Sequence, residues 1–364
     1  MESLVYILKT FFYFYIVWII YVVSYKNSSK KNKFGIVSII IISCLIGYYS
    51  LICGRIPYAG DRYNYAFRFV SDTYAYFVKT ESIGLYWLES FLHLFTYNPD
   101  VLFFIVAFLY SLITLLAYKY NDKSMPIMLL ILGLSSYISF GFYMLKQCLA
   151  IALIALSFSM YSRNKKILFL VLNILAICFH ESTWIMIPFY LILKLSENRH
   201  IRNMMYILFI IFVFFFSQIN SVIISVFVHF IPSIGVQLSY YLTRSGSLLT
   251  SINLMTALKG LPFYFIFLFS VYKSKLLSNK IENFNKYMMM CFLICIMTIL
   301  SSYMYWMFRF AIFLYFPVFI FAGQVFKALD EKKDKTIYLV FLCLILFGLT
   351  LRLWLQYYFL YGGI

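Results

Sequence analysis

Charge is what this chain lacks. Asp, Glu, Lys and Arg supply only 12% of its 364 residues, about half the share found in soluble domains. With hydrophobic residues at 64%, a soluble globular fold is excluded and a polytopic membrane protein is expected. No C-x-x-C occurs among the seven cysteines, which nearly all fall inside apolar runs, so neither a disulfide nor a metal site is inferred. Cys291 and Cys295, at i,i+4, read as helix packing. His93, His200 and His229 share no metal-ligand spacing and read as interfacial. Walker A, G-x-S-x-G and H-E-x-x-H patterns are absent, which removes the common nucleotide, hydrolase and zinc-peptidase readings. No repeat with a period of roughly 20–50 residues is visible. The start, MESLVYILKTFFYFYIVW, lacks both a basic n-region and a prompt small-x-small cleavage site. A retained first helix is expected there rather than a signal peptide.

What the chain has is apolar sequence in long unbroken runs. Runs of roughly 17–25 residues fit membrane helices, whereas barrel strands alternate over about 10. The pattern predicts an all-α integral membrane protein of about 11–12 spans, a single transmembrane domain over residues 1–364. Spans are expected at Leu4–Tyr25, Phe34–Cys53, Val101–Tyr118, Ile127–Phe142 and Met144–Tyr161. Further spans are expected at Asn203–Gln218, Leu254–Tyr272, Tyr287–Tyr305, Phe308–Phe326 and Thr336–Tyr357. Ile167–Phe179 and Trp184–Leu193, roughly 20 and 15 Å long, suggest a short hairpin turning at His180–Thr183. Gly84–Tyr97 is too short to span, carries Glu89 and His93, and reads as an interfacial helix turned by Asn98-Pro99. Lys26, Lys30, Lys31 and Lys33 place the first loop in the cytoplasm and both termini outside. Residues 54–97 then form an external loop and interfacial helix, and residues 220–253 a second external loop.

The basic residues sort by type. On this topology 17 of 21 lysines fall inside, while six of nine arginines fall outside. Lysines inside obey the positive-inside rule; arginines outside violate it and need a reason. The net charge of +17 is spread in short clusters between apolar runs, which fits orientation and anionic lipid rather than nucleic acid. The external cations Arg55, Arg62, Arg68, Lys146, Arg244, Arg309 and Arg352 are candidates for holding an anion, because the guanidinium fork matches phosphate. Their alternative role is pairing with Asp61, Asp72 and Glu81, or snorkelling to lipid headgroups. Arg309, near the start of a membrane helix, is costly in lipid unless it pairs or faces a wet cavity. His180, beside Glu181 at a hairpin tip, is a candidate general base, with simple packing as the alternative. Asp61, between Gly60 and Arg62, is the best carboxylate candidate; otherwise it orients Arg62 or Arg55. Tyr58, Tyr63, Tyr65, Tyr74 and Tyr76 crowd around it and offer sugar-stacking platforms, in a chain whose 34 tyrosines mostly build core and interface belts.

These residues also fall into a known order. G-D-x-x-x-Y (Gly60, Asp61, Tyr65) is followed by E-x-x-G (Glu81, Gly84). Lys146-Gln147 then opens a helix bearing Ala150, Ala152 and Ala155. F-H-x-S (Phe179, His180, Ser182) and R-x-x-x-x-x-Y-F (Arg309, Tyr315, Phe316) complete the series over nearly the whole chain. The series resembles the EpsG-like branch of Wzy-type polysaccharide polymerases. In that family arginine typically precedes the glutamine; Lys146 keeps the charge here but not the bidentate fork.

The resemblance implies a GT-C-like membrane glycosyltransferase with an external cavity roofed by the first external loop. It would join oligosaccharide repeat units carried on undecaprenyl pyrophosphate at the outer face of the bacterial inner membrane, for an O-antigen or capsule. No cofactor and no metal are implied. Lipid-linked glycan donor and acceptor and membrane lipid would be the partners, with a chain-length regulator admitted as another and nucleic acid excluded. Arg55, Arg62, Arg68, Lys146, Gln147, Arg244, Arg309, Tyr65 and Glu81 would contact pyrophosphate or sugar. His180 or Asp61 would accept the proton of the attacking hydroxyl. Two other functions compete. A lipid-linked oligosaccharide flippase needs charge along a path open to both faces, and an O-antigen-ligase-like transferase usually carries a long external loop late in the chain. A non-catalytic scaffold leaves the external arginines unexplained.

Overall fold

A backbone in lipid finds no water, so each apolar run closes its hydrogen bonds on itself as a helix. The computed structural model describes residues 36–53, 61–71, 82–119, 144–215, 258–301 and 307–361. Among these residues every regular element is helical. The first six helices are α1 (Ile36–Cys53), α2 (Asp61–Val70), α3 (Ile83–His93), α4 (Pro99–Lys119), α5 (Leu145–Ser162) and α6 (Lys166–Phe179). A 3-10 turn at Glu181–Ile185 leads to α7 (Met186–Leu195) and α8 (Arg199–Phe214). The remainder are α9 (Leu261–Tyr272), α10 (Ser274–Lys280), α11 (Phe284–Ser301), α12 (Met307–Ala328) and α13 (Lys332–Tyr361). Pro99–Lys119, Leu145–Ser162, Phe284–Ser301 and Arg309–Ala328 are long and apolar enough to cross a membrane. Ile39–Tyr48, Lys166–Phe179 and Leu261–Tyr272 are shorter apolar helices. The expected spans Leu4–Tyr25 and Ile127–Phe142 and the expected external loop 220–253 lie outside the described residues.

The chain divides into two compact units. The first takes Met1–Trp184, Ala322–Lys327 and Lys335–Ile364. At its centre is α5, buried along nearly its whole length. Ala150, Ala152 and Ala155 are wholly buried there, and such small residues let helices in lipid approach closely. α4 and α6 pack on α5, and α1 packs on α4. The Ser159 hydroxyl donates to the Ala117 carbonyl at 2.9 Å, so the C-terminal ends of α4 and α5 lie together and the two helices run parallel. α6 returns antiparallel after a turn in which Asn164 takes the left-handed region, φ 57°, a conformation asparagine tolerates better than most residues. Lys165 N–H closes the end of α5 on the Met160 carbonyl at 3.0 Å. Near the other end, the Ser50 hydroxyl of α1 donates to Phe103 O of α4 at 3.3 Å, which sets α1 antiparallel to α4.

This unit therefore has two unlike ends. One gathers Lys119, Arg163, Lys165 and Lys166 at the close of α4 and the α5–α6 turn. The other gathers the end of α1, the starts of α4 and α5, and the end of α6. α2 and α3 dock on that second end. The stretch Gly54–Ser82 is thus not wholly a loop, since α2 forms inside it. Its buried residues Arg62, Tyr65 and Phe69 recur at i, i+3 and i+7, and that face is supported from outside itself, by α4 and α3. The short link from α3 to α4 is fixed by Asn98, whose side chain accepts from Asp100 N–H at 3.0 Å, with Pro99 as the first helical residue.

The second unit takes Ile185–Phe321 and Ala328–Asp334. α11 is its axis, touched by α7, α8, α9 and α10. Phe292 of α11 meets Tyr206 at 4.6 Å, Phe209 at 6.2 Å and Phe267 at 5.8 Å. Three ion pairs tie its polar loops together: Lys273 to Asp334 at 2.6 Å, Lys286 to Glu197 at 2.5 Å, and Lys280 to Asp330. The segments so joined, around Glu197, Lys273–Lys286 and Asp330–Asp334, lie between the expected spans, and α10 makes the middle one partly helical.

Candidate active site

The polar end of the first unit is assembled by contacts between residues far apart in sequence. Arg62 of α2 is only 5% exposed and lays its guanidinium 3.8 Å from the Phe103 ring of α4, a cation–π contact in a desolvated setting. Two turns on, Phe69 packs its ring 4.4 Å from that of His93 of α3, and His93 Nε2 donates to Phe69 O at 3.0 Å. Tyr97 stacks on His93 at 4.7 Å. His93 is therefore a packing residue that holds α2 against α3. Tyr65 is buried, and Arg68 sits 5.8 Å from its ring. Asp61 is the first residue of α2.

α3 is fixed in turn to α6. The Ser82 hydroxyl accepts from Leu85 N–H at 3.3 Å, capping α3, and donates to the carbonyls of Phe179 at 2.7 Å and Cys178 at 3.2 Å. Those carbonyls belong to the last turn of α6, which has no intrahelical donor for them. Gly84 lies so close that a Cβ there would stand 3.0 Å from the Phe179 ring and 3.1 Å from the Cys178 carbonyl. The expected motif pieces around Gly84 and Phe179-His180 thus meet directly. His180 itself ends α6 in extended backbone. Its Nδ1 lies 3.2 Å from Ser182 N, and a backbone N–H can only donate. Nδ1 accepts, so the neutral ring carries its hydrogen on Nε2 and presents a donor rather than a base.

One residue at this end was not among the expected site residues. Glu89 of α3 is 2% exposed. Burial pushes its carboxyl up to about 8, against the opposing pull of Arg68 and then Lys146. Arg68 of α2 and Lys146 of α5 therefore both act electrostatically on a group held by α3. The signal was present in the sequence. Leu85, Glu89 and Leu92, at i, i+4 and i+7, share the buried stripe of α3, and a carboxyl in such a stripe is either partnered or kept neutral.

Lys146 and Gln147 open α5, with Gln147 5% exposed. Arg62, Tyr65, Arg68, Lys146, Gln147 and His180 thus come to one end of one unit, on the elements just described. Arg309 lies in the first turn of α12, exposed, in the second unit. Arg55, Glu81 and Arg244 lie outside the described residues, as do the neighbouring Tyr58, Tyr74 and Tyr76.

Apolar helices long enough to cross lipid, with cationic and buried polar groups collected at one end, define a helical membrane protein with a polar cluster at that end. The chain belongs to the EpsG family, whose model matches residues 60–362. Membership marks it as a membrane protein of the polysaccharide-polymerase type. No curated protein and no solved structure matches it.

Proposed function

We propose that this chain is a glycosyltransferase of the Wzy type, polymerising oligosaccharide repeat units carried on undecaprenyl pyrophosphate at the outer face of the bacterial inner membrane. The observation that supports this reading is the convergence of Arg68, Lys146 and His180 at one end of the first unit, with the basic α5–α6 turn at the other. In the reaction, a terminal hydroxyl of the incoming unit attacks the anomeric carbon of the growing chain. The new C–O bond forms as the bond to pyrophosphate breaks. The hydroxyl proton passes to a base, and the lipid pyrophosphate departs with one further negative charge. Cations stabilise that charge as it develops, the role a metal would otherwise fill. Arg68 and Lys146 take this role in the first unit. Arg55 and Arg244 are proposed as further anion contacts and Arg309 of the second unit as a separate candidate for holding an anion, while Arg62 anchors α2 and Tyr65 and Gln147 line the same end as Arg68. The hydrogen bond from Ser182 N–H to His180 Nδ1 supports His180 Nε2–H as a donor to a phosphate or sugar oxygen, which leaves Asp61 as the proposed base of the two candidates.

Deletion of the chain in its host, read on a polysaccharide gel, tests the proposal. Single repeat units on the acceptor are the expected result. Lipid-linked units trapped on the inner leaflet would instead make it a flippase. Finished polymer left on carrier lipid would make it a ligase, and an unchanged ladder would remove it from the pathway.

A further inference from the structure

The polar end of the first unit is stepped. The hydrogen bond from Ser159 to Ala117 marks a common level on α4 and α5. At the usual helical rise, α4 continues from it to Pro99, about 27 Å, and α5 only to Leu145, about 21 Å. Lys165 N–H meets the Met160 carbonyl next to that level, and α6 climbs from there to Phe179, about 20 Å above it. α5 and α6 thus stop about 6 Å, one turn, short of α4. Phe103, whose carbonyl accepts from Ser50 and whose ring carries the Arg62 guanidinium, is level with Leu145 on the same count. α4 itself, with 21 residues, matches the roughly 30 Å of a bilayer's hydrocarbon. The ends of α5 and α6 therefore lie inside one leaflet, a turn below its surface.

α3 occupies this step. Ser82 and Gly84 hold its first turn on Phe179 and Cys178 at the lower level, and Asn98 joins its end to Pro99 at the upper one. Gly84, Leu85, Glu89 and Leu92 are buried against the protein. The opposite face is apolar and open: Ile83, Trp87, Phe91 and Leu94, at i, i+4, i+8 and i+11, are each more than half exposed. Val171 and Leu175 of α6 are exposed as well. In water such a face would be a liability, but at this depth hydrocarbon covers it. An ordinary phospholipid keeps its phosphate at the surface, level with Asn98-Pro99. A lipid whose anionic head sits at the end of α6 would instead lay its chain along α3.

We propose that this face of α3 is the docking surface for the polyprenyl chain of a lipid-linked diphosphate, which enters the step sideways from within the leaflet. The proposal rests on the glycosyltransferase reading given above and names the surface that holds its substrate. The chain lies along Ile83, Trp87, Phe91 and Leu94, and the diphosphate comes to the end of α6 and the start of α5.

The full-length protein, in lipid nanodiscs, is illuminated with a long-chain polyprenyl diphosphosugar that carries a diazirine in its chain. Cross-links are expected within residues 83–94, and unlabelled polyprenyl diphosphosugar should remove them. Cross-links there that persist against the unlabelled compound would mean that ordinary acyl chains cover the face, and would overturn the proposal. A double variant, Trp87→Ser with Phe91→Ser, gives a second measurement at two exposed positions. Its affinity for the long-chain compound is expected to fall about tenfold, with that for a short-chain analogue unchanged. An equal loss for both, or no loss for either, would overturn the proposal. If the variant does not fold, cross-linking of the unaltered protein decides. Displaceable cross-links confined to other helices sink the role of α3 and leave the glycosyltransferase reading standing. Absence of any displaceable binding by the folded protein sinks both.

Discussion

At the scale of single residues, the two cations and the acid of the first unit do different work and respond differently to substitution. On the proposed mechanism Arg68→Ala removes a charge that stabilises the leaving group, and polymer formation is expected to fall about a hundredfold or more. Lys146→Met is expected to do the same, whereas Lys146→Arg keeps the charge and adds a fork, so activity should persist. Cell-free polymerisation with lipid-linked units measures all three. Equal activity of Lys146→Met and unaltered protein would remove Lys146 from the site. Glu89 gives a separate readout in stability. Its folded value, about 8, lies above the ordinary 4.5. Between those values the unfolded chain loses its proton while the folded one keeps it, so stability falls as pH rises through the window and levels off above about 8. The slope is at most about 1.4 kcal/mol per pH unit. Melting in detergent should show that decline in the unaltered protein and a flatter profile in Glu89→Gln.

At the scale of elements, the site exists because α3 approaches α6 without a side chain between them. Gly84→Val places methyl groups against Cys178 backbone and the Phe179 ring, where the backbone cannot yield. α3 must then shift, and loss of activity with normal membrane insertion is expected. Ser82→Ala removes the cap of α3 and its bonds to α6, a loss of about 1–2 kcal/mol seen as a lower melting temperature. An unshifted melt would argue that α3 is held elsewhere. The long helices were legible in advance. The expected spans Val101–Tyr118 and Met144–Tyr161 appear as Pro99–Lys119 and Leu145–Ser162, and Ile167–Phe179 begins one residue early. Their apolar runs are bounded by Asn98-Pro99 and Arg163-Asn164, local signals that survive folding. α2 was read as loop because its inner face is Arg62, Tyr65 and Phe69, which looks polar until Phe103 and His93 supply partners. The site was half legible for the same reason. Cations stood out against a greasy background, whereas Glu89 stands out only once α3 is docked and the carboxyl is buried.

At the scale of the whole molecule, the arrangement makes sense only if its two kinds of end face different compartments. In the first unit, α4, α5 and α6 carry the site at one end and Lys119, Arg163, Lys165 and Lys166 at the other. In the proposed orientation the latter face the cytoplasm, as the positive-inside rule expects, and the proposed site opens outward. In the second unit the ion pairs of Lys273, Lys280 and Lys286 collect three loops whose surplus of lysine assigns them inward by the same rule. Such solvent-screened pairs add little stability. Their value lies in showing that loops distant in sequence share a face. Single cysteines introduced at Asn98, Asn164 and Ser278, all exposed positions, test both assignments. In intact spheroplasts a membrane-impermeant maleimide should label Asn98→Cys and leave Asn164→Cys and Ser278→Cys untouched until the membrane is opened. Labelling of Asn98→Cys and Asn164→Cys from the same side would contradict the two-ended first unit. Labelling of Asn164→Cys in intact spheroplasts, with Asn98→Cys labelled only after opening, would turn the site to the cytoplasm, where units not yet flipped reside, and the flippase reading would then outrank the polymerase.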